Sequence, residues 1–233
     1  MKSFPRPCVA VVFGAGGGIG SALIEALRSV DCFDQVIGFS RGSLLPIDLL
    51  DEASLERAAS FVATQREVRL VIDATGFLHD EQQAPEKSWR QLDASRLARA
   101  FALNAVGPAL IMKHVLPLLP RSGKAVFATL SARVGSISDN RLGGWYAYRA
   151  SKAALNQLVR TAAVELARRA PEALCIALHP GTVATSLSAP FAATGLEVHT
   201  AAQAADHLLA VVDGLTAEAT GGFFDWRGQP VPW

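Results

Sequence analysis

Residues 131–152 read SARVGSISDNRLGGWYAYRASK and concentrate hydroxyl groups and basic side chains that are able to transfer a proton. On a helix, residues four positions apart lie on one face, so Tyr148 meets Lys152 whereas Tyr146 meets Ala150. An ammonium one turn away stabilises a phenolate, which favours Tyr148 as a general acid with Lys152 as its electrostatic partner. A tyrosine and a lysine at this spacing also occur on ordinary surface helices, where they only pack.

In the segment VVFGAGGGIGSALIEAL, a cluster of glycines directly follows the first apolar run of the chain and precedes a helical pattern. Glycines allow positive φ and let backbone N–H groups approach a phosphate, and the N-terminus of a following helix adds a favourable dipole. The segment therefore predicts a pyrophosphate-binding turn formed by Gly14, Gly16, Gly17, Gly18 and Gly20. A tight strand-to-helix turn that binds nothing is the alternative.

These two segments need a sheet edge to bring them together, and the apolar pattern predicts one. Apolar runs of strand length recur at residues 9–13, 35–39, 69–72, 124–128 and 174–178. The segment GGFFDWRG is predicted to be one more strand. Helical patterns alternate with them over residues 18–29, 53–64, 95–118, 146–169 and 201–213. Continuous hydrophobicity in the strands indicates burial on both faces. The sequence therefore predicts a single-domain, Rossmann-like, doubly wound parallel α/β sheet of about seven strands with helices on both faces.

Length and composition narrow the class of protein. The chain has 233 residues, which suits one large α/β domain. Lys and Arg total 22 against 21 Asp and Glu, so no nucleic-acid partner is expected. We find no uninterrupted apolar stretch of about 18 residues or more, so no membrane segment is expected. Cys8, Cys32 and Cys175 lie far apart without metal-site spacing, which predicts no metal and favours the cytoplasm.

The glycine spacing and the Tyr-xxx-Lys pair together resemble the signatures of the short-chain dehydrogenase/reductase family, over nearly the whole chain. GSISDNRLGGWYAYRASKAALN, LHPGTVAT and GGFFDWRGQPVPW are similar, more narrowly, to the branch containing C-factor and sniffer-type carbonyl reductases. The resemblance implies a nicotinamide dinucleotide across the carboxyl edge of the sheet, with Tyr148 and Lys152 both catalytic and in contact with it. It implies further cofactor contacts from Gly14, Gly18, Ile19, Gly20, Asp48, Ala74, Gly76, Pro180, Val183 and Thr185.

Three segments depart from the family pattern. Phe13 stands where threonine is usual, and DATG at residues 73–76 stands for N-N-A-G. The resemblance places Ala132 where the catalytic serine is usual, with Ser131 before it and Ser136 just after the glycine. We expect Ser131 to be the catalytic serine, with Ser136 as second choice. Ser131 meets this role only if the strand end bulges or has already become loop.

Asn104 precedes Pro108 within a helical pattern. Proline has no N–H, so the carbonyl of Asn104 loses its helical partner and is open to a water or a side chain. The resemblance implies that Asn104 belongs to the catalytic set, with a water at its main chain leading toward the lysine. An ordinary proline kink is the alternative.

The tip of the second predicted strand carries Ser40 and Arg41. In dinucleotide-binding folds, an acidic residue at this place binds the ribose 2'-hydroxyl of NAD(H), whereas a basic residue binds the 2'-phosphate of NADP(H). No carboxylate occurs before Asp48, so the sequence predicts that NADP(H) is preferred over NAD(H). A solvated loop arginine is the alternative.

Residues 184–200 lack a long periodic pattern and are expected to form a lid over the ligand. An apolar substrate pocket is expected from Trp145, Phe77 and Phe191. Three functions fit: an NADPH-dependent reductase of a small-molecule carbonyl compound, a nucleotide-binding signalling or scaffold protein without turnover, and a dehydratase or epimerase. A homodimer or homotetramer joined through the helices of Asn104 and Tyr148 is expected.

Overall fold

The computed structural model describes residues 1–81, 83–191 and 197–233 and is built on a parallel sheet of six strands. The order across the sheet is β2-β1-β3-β4-β5-β8, while β6 and β7 pair only with each other. The strands are β1 (Val9–Phe13), β2 (Gln35–Phe39), β3 (Val68–Asp73), β4 (Ala125–Leu130), β5 (Ala173–His179), β6 (Thr182–Val183), β7 (Val198–His199) and β8 (Phe223–Asp225). The main sheet has six strands where about seven were expected, and the five apolar runs together with the GGFFDWRG segment account for all six.

Helices cover both faces of this sheet, as the continuous hydrophobicity of the strands predicts. Helices α1 and α6 pack on one face, and α2, α4 and α5 pack on the other. The helices are α1 (Gly18–Ser29), α2 (Glu52–Ala63), α3 (Ala94–Phe101), α4 (Gly107–Val115), α5 (Tyr146–Arg169) and α6 (Ala201–Gly214). The doubly wound fold is therefore confirmed.

The segment predicted as one helix over residues 95–118 contains a π-helical turn at Ala102–Val106 between α3 and α4. The N–H of Gly107 reaches back five residues to the carbonyl of Ala102, just before Pro108. A π-turn here fits the lack of an N–H on that proline. Within the segment Ala94–Leu118 an 18-residue window has a mean hydropathy of 1.3, so by length and composition alone the segment could cross a membrane. In this fold it packs against α2 and α5.

The carboxyl ends of all the main strands meet at one edge of the sheet because the strands are parallel. Chain order reverses between β1 and β3, and such a topological switch point opens a crevice at that edge. The segments that follow β1, β2, β3, β4 and β5 carry the sequence-predicted site residues. The fold therefore brings segments far apart in sequence to one crevice.

Candidate active site

The turn after β1 accepts only glycine at two positions. Gly14 has φ +82°, and a Cβ on it would lie 2.8 Å from the carbonyl carbon of Ala74. A Cβ on Gly20 would lie 2.1 Å from the carbonyl oxygen of Gly14. A Cβ on Gly18 would lie 2.8 Å from Cγ2 of Thr185, so this turn also touches the loop after β5.

The N-terminus of α1 is open to an anion. Its N-cap, Gly17, has no side chain to bond the first N–H groups, and no acidic residue lies in the first turn. Gly16, Gly17 and Gly18 are exposed, and Ile19 beside them is half-buried. Free N–H groups and the helix dipole favour a phosphate here, so these residues fit the pyrophosphate of a dinucleotide.

The tip of β2 lies beside the glycine turn. A Cβ on Gly16 would be 3.3 Å from Cβ of Ser40. Arg41 is exposed and forms no ion pair within the described part of the chain. The carboxylate of Asp48 accepts a hydrogen bond from the N–H of Leu50 at 2.9 Å, in the turn that leads into α2. Ser40 is therefore next to the turn and the exposed Arg41 directly follows it, whereas Asp48 is engaged with its own loop.

Tyr148 and Lys152 lie one turn apart on α5, beneath the ends of β3 and β4. The ammonium of Lys152 is 6.0 Å from the centroid of the Tyr148 ring and donates to the carbonyl of Leu130 at 2.8 Å. A Cβ on Gly76 would lie 3.8 Å from the same ammonium. Lys152 is buried and Tyr148 half-buried. The pair predicted from helical spacing is therefore together in space at the carboxyl edge of the sheet.

Burial dominates the titration of both groups. It raises the pKa of Tyr148 to about 12. It lowers the pKa of Lys152 to about 8, and the negative charge of Asp73 opposes that change. From helical spacing we expected the ammonium to make the phenol more acidic. In the structure, removal of the phenolate from water outweighs the effect of an ammonium at this distance. The phenol therefore carries its proton at neutral pH, as a general acid must.

Asp73, the first residue of DATG, organises the turn after β3. Its Oδ1 accepts hydrogen bonds from the N–H and the Oγ1 of Thr75, at 3.0 and 2.6 Å. Its Oδ2 accepts from Oγ1 of Thr129 on the neighbouring strand, at 2.7 Å. Burial raises the pKa of this carboxyl group, and these hydrogen bonds oppose the rise. Asp73 therefore caps the backbone of its own turn and ties that turn to β4.

Asn104 is buried in the π-turn and binds through its side chain. Its Oδ1 accepts from the N–H of Phe77 at 2.7 Å, and its Nδ2 donates to the carbonyl of Phe77 at 2.8 Å and to Oγ of Ser151 at 3.0 Å. From the sequence, the position of Pro108 predicted a role only for the main-chain carbonyl of Asn104. The side chain joins the loop after β3 to α5, three residues from Tyr148 along the helix.

Neither candidate serine is hydrogen-bonded to Tyr148 within the described residues. Oγ of Ser131 donates to Oδ1 of Asn156 at 2.6 Å. Asn156 lies about 12 Å further along α5 than Tyr148, because each helical residue rises about 1.5 Å. Oγ of Ser136 accepts from the N–H of Asp139 at 3.2 Å. The structure therefore brings the tyrosine and the lysine together but turns the Ser131 hydroxyl elsewhere.

The loop after β5 closes the crevice on its other side. Pro180 is half-buried, Val183 in β6 is buried, and Thr185 reaches the glycine turn. The predicted lid at 184–200 includes residues 192–196, which lie outside the described residues. β6 pairs with β7, so the two ends of that segment are held side by side.

Aromatic rings connect the described part of the predicted lid with Tyr148. The ring of Phe191 lies 5.1 Å from that of Trp145, and Trp145 lies 6.2 Å from Tyr148, between centroids. His79 contacts Phe191 at 5.1 Å and bonds through Nε2 with the carbonyl of Leu187 at 3.1 Å. No sequence pattern predicts a role for His79, since it is a lone histidine in a loop.

Fold and site together define the class of protein. A family model described as enoyl-(acyl carrier protein) reductase matches residues 24–213. The chain belongs to the short-chain dehydrogenase/reductase family, and several of the relatives and solved structures that it resembles are named as oxidoreductases. The C-signal protein of Myxococcus xanthus is 39% identical over 142 residues, which are 61% of this chain and 81% of that protein.

Two solved structures share the fold over almost the whole chain. NADPH-bound carbonyl reductase from chicken fatty liver has a TM-score of 0.85 and 24% identity, covering 99% of this chain and 95% of that one. Carbonyl reductase Sniffer of D. melanogaster has a TM-score of 0.82 and 22% identity, covering 98% and 99%. At these identities the likeness concerns the fold. The predicted family and branch are confirmed.

Proposed function

We propose that this protein reduces a small-molecule carbonyl compound to an alcohol with NADPH, and that Tyr148 is the general acid. Bound NADPH would supply a hydride to the carbonyl carbon. The Tyr148 phenol donates its proton to the carbonyl oxygen as charge develops there, and the Lys152 ammonium stabilises the phenolate that remains. The observation that carries this proposal is the pairing of a protonated, half-buried phenol with an ammonium 6.0 Å from its ring centroid at the crevice.

The cofactor would be held by segments that the fold places around one crevice. Gly14, Gly18, Ile19 and Gly20 would bind the pyrophosphate, and Ala74 and Gly76 border it from β3. Pro180, Val183 and Thr185 would contact the nicotinamide end, while Lys152 would reach the adjacent ribose. Two solved structures of similar fold bear the name carbonyl reductase, and one of them is described as NADPH-bound, which supports this arrangement.

The preference for NADPH rests on Arg41. Arg41 is exposed, follows the Ser40 that lies against the glycine turn and, within the described residues, forms no ion pair with a carboxylate. We expect Arg41→Ala to lower kcat/KM with NADPH by about tenfold and to leave kcat/KM with NADH within about twofold, because a charged hydrogen bond to phosphate is lost. Steady-state rates with both cofactors measure this. A wild-type enzyme that prefers NADH would contradict the assignment.

A second candidate function is a nucleotide-binding signalling protein without turnover. Ala132 at the position of the family serine favours it, as does the similarity to a protein named C-signal. A panel of aldehydes, ketones and quinones, followed by NADPH absorbance, separates the two functions. NADPH binding without oxidation by any compound would favour the second function.

A homo-oligomer would bury the apolar groove between α4 and α5. The groove is lined by Ala109, Met112, Leu116, Pro117, Leu158 and Ala162, and its rim carries both Lys113 and Glu165. A second copy fits it, because a rim with both charge signs can pair with itself across a twofold axis. We expect Leu158→Asp to convert the oligomer to a monomer, whereas Leu44→Asp, at a fully exposed loop residue, has no such effect. Light scattering coupled to gel filtration measures the mass; a monomeric wild type would contradict the proposal.

The three cysteines agree with a soluble protein of the reducing cytoplasm, which we include in the proposal. Cys8, Cys32 and Cys175 are buried free thiols. Burial raises the pKa of Cys8 to about 11 and of Cys175 to about 12. Thiols with a raised pKa are poor nucleophiles, so we assign Cys8 and Cys175 to packing.

A further inference from the structure

Glu86 lies in the loop between β3 and α3 and is only 2% exposed. Oε2 of its carboxylate accepts a hydrogen bond from the N–H of Ala147 at 3.1 Å. Its main-chain carbonyl accepts another from the N–H of Trp145 at 2.5 Å. One residue, 61 positions away in sequence, therefore holds two backbone groups at the start of the helix that carries Tyr148.

The backbone that Glu86 holds is strained. Gly143, Gly144 and Trp145 have φ of +64°, +67° and +53°, and Trp145 is the one residue other than glycine with positive φ in the described part of the chain. A side chain in this region costs free energy and persists only where its surroundings enforce it, most often at functional sites. The restraint turns the indole toward the ring of Tyr148, 6.2 Å away between centroids.

The cap on α5 differs from an ordinary helix cap. Trp145, the N-cap residue, makes no side-chain cap bond, and a buried carboxylate from another loop takes that place. Oε1 of Glu86 is buried and has no hydrogen-bond partner among the described residues. Such an atom destabilises the fold, although the helix dipole offsets part of the cost of the charge. Asp51 caps α2 from an exposed position and carries no such penalty.

We propose that Glu86 is a positioning residue for Tyr148. Its carboxylate and its carbonyl together fix the first turn of α5 and the left-handed Trp145, and through them the place of the phenol in the crevice. Displacement of a reacting group by about 1 Å can lower a rate by about 10²-fold, so a restraint of this kind matters to turnover. This inference rests on the proposed carbonyl reduction by Tyr148.

Three substitutions separate the reach of the side chain from its charge. Glu86→Gln retains an oxygen that can accept from Ala147, whereas Glu86→Asp is one methylene too short and Glu86→Ala has no acceptor. We expect the Asp and Ala variants to lose about tenfold or more in kcat, with KM for the carbonyl substrate and the NADPH dissociation constant within about twofold. The Gln variant should stay within about threefold of wild type, because it restores the acceptor. Asp51→Ala, which removes a cap of α2 with no link to Tyr148, should leave kcat unchanged.

Amide hydrogen exchange tests the same restraint without turnover. We expect exchange at Ala147 to be about tenfold faster in the Asp and Ala variants and unchanged in the Gln variant and in Asp51→Ala. If the Ala variant fails to fold, the Asp and Gln variants decide the question. Unchanged kcat and exchange in Glu86→Asp, or loss of kcat in Glu86→Gln alone, would overturn the inference. A wild type without turnover on any carbonyl compound would instead refute the proposed function, and the exchange rates would still show whether Glu86 holds the turn.

Discussion

Replacement of Tyr148 by phenylalanine is expected to lower kcat for carbonyl reduction by about 10³-fold and to leave NADPH binding within about twofold. Phenylalanine keeps the ring and its contact with Trp145 but lacks the phenolic proton that the half-buried Tyr148 can donate at the crevice. The carbonyl oxygen then has to take its proton from water, and the developing charge is less well stabilised. Burial holds the pKa of the phenol at about 12, so the wild-type donor is protonated throughout the neutral range.

The matched control is Tyr146→Phe, since the chain has only these two tyrosines and Tyr146 is four residues from an alanine rather than from Lys152. Steady-state kcat and KM, with the NADPH dissociation constant measured separately, distinguish a chemical defect from a binding defect. Similar losses in both variants would show that the effect comes from packing of the first turn of α5. A Tyr148→Phe enzyme within tenfold of wild type would refute the general-acid role.

Lys152 should give the reaction an alkaline limit. Burial lowers its pKa to about 8, against 10.5 for an ordinary lysine. Below that pH the ammonium is present and stabilises the phenolate left by proton transfer; above it the ammonium is lost. We therefore expect kcat/KM for reduction to fall as pH rises through about 8, with a profile measured between about pH 6 and 10. In Lys152→Met this step should be absent and the plateau lower, and a step that survives the substitution would assign it to another group.

Hydrophobic periodicity in the sequence predicted most of the fold correctly. Helix α5 begins and ends where the pattern over residues 146–169 predicts, and α1 matches residues 18–29. Both are long amphipathic segments bounded by glycine-rich or polar turns, and such signals are local. The π-turn at Ala102–Val106 differs from the continuous helix that was expected, because apolar spacing does not reveal how a chain redistributes its hydrogen bonds around Pro108.

In the candidate site, too, local spacing predicted some contacts, whereas others depend on the folded structure. Tyr148 and Lys152 are linked by helical spacing, so the sequence sufficed to pair them. The bonds of Asn104 with Phe77 and of Glu86 with Ala147 join residues 27 and 61 positions apart and follow no period. The rise in the pKa of Tyr148 could not be predicted from the sequence either, because desolvation depends on all the groups that cover the ring in the folded structure.

Ala132→Ser is expected to raise kcat by about tenfold to a hundredfold, the converse of the loss seen when an oxyanion donor is removed. The family places a serine at this position, and this chain has none there. We do not expect Ser131, the serine predicted from the sequence, to replace it, since its hydroxyl already donates to Oδ1 of Asn156 at 2.6 Å. Residue 132 has φ −147° and ψ 145°, an extended conformation in which its side chain points away from that of Ser131. A hydroxyl at 132 would therefore be free of Asn156 and available to the substrate oxygen.

Ser131→Ala is the matched variant for this gain. We expect it to change kcat by less than about tenfold, and mainly to weaken the bond between the end of β4 and α5. In the double variant Ala132→Ser/Tyr148→Phe the gain should be absent. The added hydrogen bond can assist only a proton transfer from Tyr148, and that transfer no longer occurs. If Ser131→Ala abolishes turnover while Ala132→Ser adds nothing, Ser131 must leave Asn156 during catalysis. The serine predicted from the sequence would then be the working one, and the strand end would have to rearrange when substrate binds.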